Sequence, residues 1–383
     1  MFVPGVRQGF HVPRHLPPFI FGTLAIIGTL LAWAAISPGH LSNEAQYQAL
    51  IPSTAASIHS VAYVLPGAFG GQPDRVYTRR ADAPTTGGER YIASFDVPFS
   101  NLHVLGSSSP TGARLAVLHA SDGSTYAQLS LVPVLAGNQI DLDGDFDYLA
   151  RIAWSADGER LALTRTTHPD DAGRSHVDVT QINAATGQAS TLAQFDGVFD
   201  AAPVGYSLDG QRAFIVVVDQ SGSNLWTIQN GKALKTAALS PGRTRDWSLS
   251  PDGSRLAYVD VLGAAARAYA GRTLLIATGE ITDTNAPGSQ LGPVWPPGSQ
   301  IPQFGGPGGS VQLSPAPPDG TYLVPVSWSP DGKTLVATIY SASSDPAESP
   351  TESVELFSFQ PDSQEHVQLA GDENARFLGW VVD

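Results

Sequence analysis

The stretch DLDGDFD, residues 141–147, holds the densest set of groups with chemical potential. Asp141, Asp143, Asp145 and Asp147 alternate, so in an extended backbone their side chains share one face. Carboxylates crowded in that way repel, and a hard cation with oxygen ligands, Ca²⁺ above all, relieves the repulsion. The spacing is not that of an EF-hand, because the glycine stands fourth rather than sixth and Ile152 occupies the place of the closing Glu. The alternative is a solvated acidic loop. His168 and His176, eight residues apart, read as surface side chains rather than metal ligands.

Other catalytic signatures are absent from the sequence. It contains no Gly-x-Ser-x-Gly elbow, no phosphate loop and no His-Glu-x-x-His. It has no cysteine, which removes disulfides, thiolate zinc sites and cysteine nucleophiles. The net charge is −14, with no basic stripe, which argues against nucleic-acid binding and favours cationic partners.

The elements that must carry these residues are announced by a recurrent turn. In VSWSPDGKTL, residues 326–335, a β-branched and aromatic strand runs into Ser-Pro-Asp-Gly. Pro330 presets the first corner of a type I turn, and Gly332 supplies the positive φ that sends the chain back. The pattern returns as WSLSPDGSRLAY (247–258), IAWSADGERLAL (152–163), VGYSLDGQRAFI (204–215) and GSSSPTGARLAV (106–117). The turns start at Ser109, Ser155, Ser207, Ser250 and Ser329, at spacings of 46, 52, 43 and 79 residues. A strand-rich recurrence of that length marks the blades of a β-propeller.

The segments WSPDGKTL, WSADGERL and LSPDGSRL resemble the TolB-like, WD-repeat-like β-propeller repeat, over most of residues 55–383. The sequence departs from that repeat at Thr111, where Asp is expected, and at Ala156 and Leu208, where Pro is expected. The resemblance implies a fold and is nearly silent on function, since such repeats occur in periplasmic scaffold proteins and as the propeller halves of serine peptidases. The propeller is expected to use the chain to its end, so peptidase activity is not carried over.

The fold class is therefore all-β, a six-bladed propeller with an N-terminal transmembrane helix. Seven blades is the alternative, because PVWPPGSQI (293–301) reads as a decayed PVWSPDGSQI. Six is preferred because residues 287–318 hold nine Pro and seven Gly, and Pro donates no ladder hydrogen bond. This segment is expected to be a long loop. SVAYVLPG (60–67), DRVYTRR (74–80) and RYIASFDV (90–97) read as three strands lacking an inner partner, which RFLGW (376–380) supplies. The first blade thus joins both ends of the chain and removes exposed edges.

Residues 1–18 read as a cytoplasmic tail, 19–37 as a transmembrane helix or uncleaved signal anchor, 38–55 as a stalk and 56–383 as the propeller. The run FIFGTLAIIGTLLAWAAI (19–36) carries no charge. Eighteen residues at ~1.5 Å each match the hydrocarbon thickness of a bilayer. Arg7 and Arg14 precede the run and Glu44 is the first charge after it, so the positive-inside rule exports the propeller. The alternative is a secreted protein, cleaved after Ala32-Trp33-Ala34.

The function expected is that of a membrane-anchored extracytoplasmic module for protein binding or assembly, with no certain cofactor beyond the calcium candidate. A structural subunit of a larger membrane complex is one alternative. An enzyme working in the central funnel is another, and it needs titratable groups from several blades at the axis, a set the sequence does not reveal. The loops of one face are expected to gather carboxylates, among them Asp170, Asp196, Asp200 and Asp246, into an acidic surface.

Overall fold

The computed structural model describes residues 60–67, 72–82, 88–96, 104–120, 126–167, 170–263, 268–311, 320–341, 353–360, 365–370 and 375–383. The predicted tail, membrane segment and stalk lie outside them. Among the described residues no helix is long and apolar enough to cross a membrane.

These residues form six four-stranded antiparallel sheets and one two-stranded sheet. Blade 1 is Arg376–Val381, Ser60–Leu65, Asp74–Arg80 and Arg90–Phe95, from the inside outwards. Blade 2 runs from Leu105–Ser108 to Ile140–Phe146, and blade 3 from Ala153–Trp154 to Ala189–Val198. Blade 4 runs from Asp200–Tyr206 to Lys232–Ser240, and blade 5 from Thr244–Leu249 to Glu280–Asp283. Blade 6 runs from Thr321–Trp328 to Glu365–Ala370. The predicted closure is present: Val61 pairs with Trp380 and Ala62 with Gly379, so the last strand is the inner strand of the first blade.

The second strand of each blade is apolar at successive positions because both of its faces are buried. In blade 4, Ala213, Ile215 and Val217 pack with blade 3, while Phe214 and Val216 pack with blade 5. Blade 3 does the same, sending Leu161 and Leu163 towards blade 2 and Ala162 towards blade 4. The cores are therefore shared between neighbours around the ring. The circle closes where Val61, Tyr63 and Trp380 of blade 1 meet Val336 and Leu356 of blade 6.

The segment expected to be a loop contains a hairpin, Leu291–Val294 paired with Gln303–Gly305. It sits between blades 5 and 6: Leu291, Trp295 and Phe304 pack on Ala257 and Val259 from one side and on Tyr322 and Val324 from the other. Its turn is Pro297-Gly298, the place of the decayed repeat, so the alternative seventh blade survives as two strands. Proline confines pairing here but does not abolish it: Pro293 lies within Leu291–Val294, at the register shift between the paired Leu291 and Val294.

Candidate functional site

Each inner strand is anchored by its turn. The buried hydroxyl of Ser250 donates to Asp252 Oδ1 (2.6 Å) and accepts from the Arg255 backbone N–H (2.9 Å). Asp252 Oδ1 accepts from the Ser254 backbone N–H as well (3.0 Å). The same network holds Ser155 with Asp157, Ser207 with Asp209 and Ser329 with Asp331. At Thr111, where the carboxylate is missing, the Thr Oγ1 takes its place 3.0 Å from Ser109 Oγ. The glycine that ends each turn has φ between 64° and 71°, at Gly112, Gly158, Gly210, Gly253 and Gly332.

The turns fix the opposite ends of the inner strands, and there charged side chains from different repeats meet. Arg151 and Asp246 each stand four residues before a turn serine, Ser155 in blade 3 and Ser250 in blade 5. Asp246 sits where the blade 5 ladder slips its register, with φ at 51°, in the left-handed region. Left-handed backbone at a non-glycine residue is sparsely populated and costs energy, and it recurs at functional sites. Asp246 Oδ1 accepts from Arg245 Nε (3.0 Å), and its Oδ2 accepts from the Gly292 N–H of the hairpin (3.3 Å). Gly292 packs closely on blade 6, where a Cβ would lie 2.4 Å from Val324 Cγ1.

Arg151 is exposed, and Asp246 lies within electrostatic reach of its guanidinium. Arg245 lies over the Tyr269 ring at 5.7 Å. Tyr322 and Tyr340 of blade 6 stack at 6.3 Å. Burial pushes the Tyr322 hydroxyl up to about 12 and raises Tyr340 too, with Asp246 adding to the latter. Asp200, at the start of blade 4, is exposed as a residue, yet partial desolvation of its carboxylate raises it, with the Asp147 charge adding and Arg243 opposing. Titratable groups of blades 3 to 6 thus converge at the axial mouth, which sequence reading did not find. A usable signal was the shared position of Arg151 and Asp246 in the repeat.

A groove of about 350 Å³ adjoins the mouth, lined by Phe199, Val218, Asp219, Pro241 and Arg243. Leu149, two residues from Arg151, is 84% exposed.

The predicted calcium residues lie elsewhere. Residues 141–146 belong to the outer strand of blade 2, a strand rather than a loop. Asp141 accepts from Ser130 Oγ and Gln139 Nε2, both at 2.6 Å, and the Ser130 bond holds its pKa below the usual carboxylate range. Asp145 pairs with Arg165 at 3.5 Å, and Asp147 accepts from the Thr166 N–H and hydroxyl. The Asp143 side chain lies outside the described residues. Among the described residues no three acidic or histidine side chains are grouped to hold a metal ion. His119 bonds Ser130 Oγ at 2.9 Å, but Ser130 is fully buried, so that Ser–His contact braces a sheet rather than forming a nucleophile. His168 is outside the described residues, and His176 bridges Asp178 and Asp196.

No family model and no curated protein matches the chain. Among solved structures, TolB from Acinetobacter baumannii matches at TM-score 0.51 and 18% identity, covering 89% of this chain and 71% of that one. The fold is that of a TolB-like β-propeller. An acylaminoacyl peptidase solved with a chloromethyl ketone matches this TolB-like propeller at TM-score 0.51 and 11% identity. The match covers 82% of this chain but 51% of the peptidase, so the TolB-like chain spans about half the length of that enzyme. A putative TolB from Agrobacterium tumefaciens matches at TM-score 0.44 and 13% identity, over 84% of this chain and 99% of that one.

Proposed function

We propose that this propeller is a membrane-anchored extracytoplasmic binding and assembly module, held by residues 19–36, whose partner docks at the axial mouth. The observation that carries the reading is the convergence there of Arg151, Arg245, Asp246 and Asp200 with the Tyr322–Tyr340 pair. A rigid ring that presents polar and aromatic groups at one end, with an open groove on the same blades and an exposed leucine in the loop before Arg151, suits recognition of a protein segment. The test is affinity capture of the full-length chain from detergent-solubilised membranes. A partner recovered in fixed proportion, and lost when Leu149→Asp and Tyr322→Ala are combined, supports the module. Recovery of the chain alone from cross-linked membranes ends it.

The Asp141–Asp147 segment is proposed to hold Ca²⁺ only where the cation displaces Arg165 from Asp145. Calcium then raises the melting temperature, and Asp143→Asn with Asp145→Asn abolishes the rise. An unchanged melting temperature in the intact protein leaves an acidic strand edge tied to its own neighbours.

A further inference from the structure

We infer that a cavity at the junction of blades 6 and 1 is a binding site for a pyranose sugar, with the Trp380 indole N–H donating to one of its oxygens. The site lies at the turn end of the ring, away from the axial mouth, and stands whether or not a partner docks there.

The cavity, of about 220 Å³, is lined by Arg80 and Asp82 of blade 1, by Asp331, Lys333 and Gln360 of blade 6, and by Trp380 of the closing strand. Trp380 is 6% exposed, and its Nε1 has no hydrogen-bond partner. A buried donor without an acceptor costs free energy, and most such groups find one. Trp328, at the same end of the blade 6 inner strand, gives its N–H to Gln303 (3.1 Å), and Trp295 gives its own to the Ser248 carbonyl (3.0 Å). The Trp154 N–H is unpartnered too, so an orphan indole alone assigns nothing. At Trp380 the orphan belongs to the wall of a cavity. The charges of that wall select the ligand. Arg80 Nε lies 3.0 Å from Asp82 Oδ1, and its Nη1 lies 3.7 Å from Asp383. Lys333 Nζ lies 3.8 Å from Asp331. Two cations and two carboxylates thus line the cavity, each already paired, and an ion of either sign has to compete with those pairs. A neutral hydroxyl does not, because it donates to a carboxylate oxygen and accepts from a guanidinium or ammonium N–H at once. The Gln360 carboxamide offers the same two roles. Neighbouring hydroxyls on a pyranose ring fit a wall in which donors and acceptors alternate, and the C–H face of the ring covers its apolar part, Trp380 and Ala81.

Two sources offer such a ring: a free monosaccharide, or a unit of a glycan chain. The full-length chain, in a detergent without a sugar head group, is titrated by saturation-transfer NMR with glucose and N-acetylglucosamine, and with cellotetraose and chitotetraose. Sodium succinate, against sodium chloride of equal ionic strength, is the charged control. A monosaccharide that binds as tightly as its tetrasaccharide assigns a free sugar; tighter binding of the tetrasaccharide assigns a glycan. In either case Trp380→Phe, which keeps an aromatic ring and removes the N–H, weakens binding by about three- to ten-fold. Trp380 is buried in the closing seam, so Asp82→Ala and Lys333→Ala, at exposed positions, are measured beside it. Each is expected to weaken binding while melting close to the parent, and the two decide the matter if Trp380→Phe does not fold. Equal binding by a folded Trp380→Phe, or by both surface variants, overturns the inference. So does a parent that binds none of the four sugars, or that binds succinate in preference to them. Sugar binding that persists when Leu149→Asp and Tyr322→Ala are combined supports a site separate from the axial mouth, and its loss there overturns that separation.

Discussion

Ser250 closes a loop of hydrogen bonds at its turn. Its hydroxyl is buried, donates to Asp252 and accepts from the Arg255 N–H. Ser250→Ala leaves that N–H without its acceptor inside the protein, at a cost of about 1–3 kcal/mol. The expected result is a melting temperature lower by a few degrees, with the fold retained, and an unchanged melting curve would show that water replaces the hydroxyl. Asp200 makes the opposite prediction. Its folded pKa lies above the ordinary 3.8 because the neighbouring strands partly desolvate the carboxylate, although the residue itself is solvent-exposed, which keeps the effect small. Its stabilising contribution is complete below that ordinary value and is lost as the pH rises through the raised one. At pH 7 the ionised group therefore costs stability, so Asp200→Asn melts higher than the parent at neutral pH. The difference shrinks to nothing below about pH 4, where both side chains are neutral. A gain that ignores pH would mean the ionisation is not its source.

The blade elements were legible because local chemistry writes them. Ser-Pro-Asp-Gly fixes turn geometry wherever it occurs, and the apolar runs after it fit strands buried on both faces. The closure of blade 1 followed from counting strands that lacked a partner. Trp380, in the predicted closing strand, is buried and meets Phe377 edge to face at 6.3 Å. The hairpin at Leu291–Gly305 was half legible: its turn was visible, but proline density argued for a loop. What made it a hairpin was the space between blades 5 and 6, which no local pattern encodes. The axial set was illegible for the same reason, since Arg151 and Asp246 look like ordinary loop charges until the ring brings them together. Deletion of residues 376–383 tests the closure. It removes the buried Leu378, Trp380 and Val381, each contributing about 1.5–3 kcal/mol, and bares the edge of Ser60–Leu65. That sum is comparable to the whole stability of a domain, so the shortened chain is expected to lose cooperative melting and to aggregate. Melting indistinguishable from the parent would mean the ring does not depend on its last strand.

At the scale of the molecule, charge and topology are linked. The net −14 was expected to gather on one face, yet the described carboxylates at this end are largely matched. Asp145 meets Arg165, Asp170 meets Arg174, Asp196 meets His176 and Asp246 meets Arg245. The axial mouth is thus a mixed field rather than an acidic one, and it discriminates ligands by placement of charge more than by sign. Such a surface serves a partner only if it faces the partner's compartment. Arg7 and Arg14 stand before the uncharged run 19–36, and in the orientation proposed above the positive-inside rule would keep them in the cytoplasm and export the propeller. Protease added to intact spheroplasts is then expected to digest the propeller and leave a tag at Met1 protected, with full digestion of both only after lysis. A mature soluble chain beginning near Ala35 would show cleavage instead of anchoring. A propeller protected until lysis would place it inside, and reversing Arg7 and Arg14 to Glu should convert the first pattern towards the second if those two charges set the orientation.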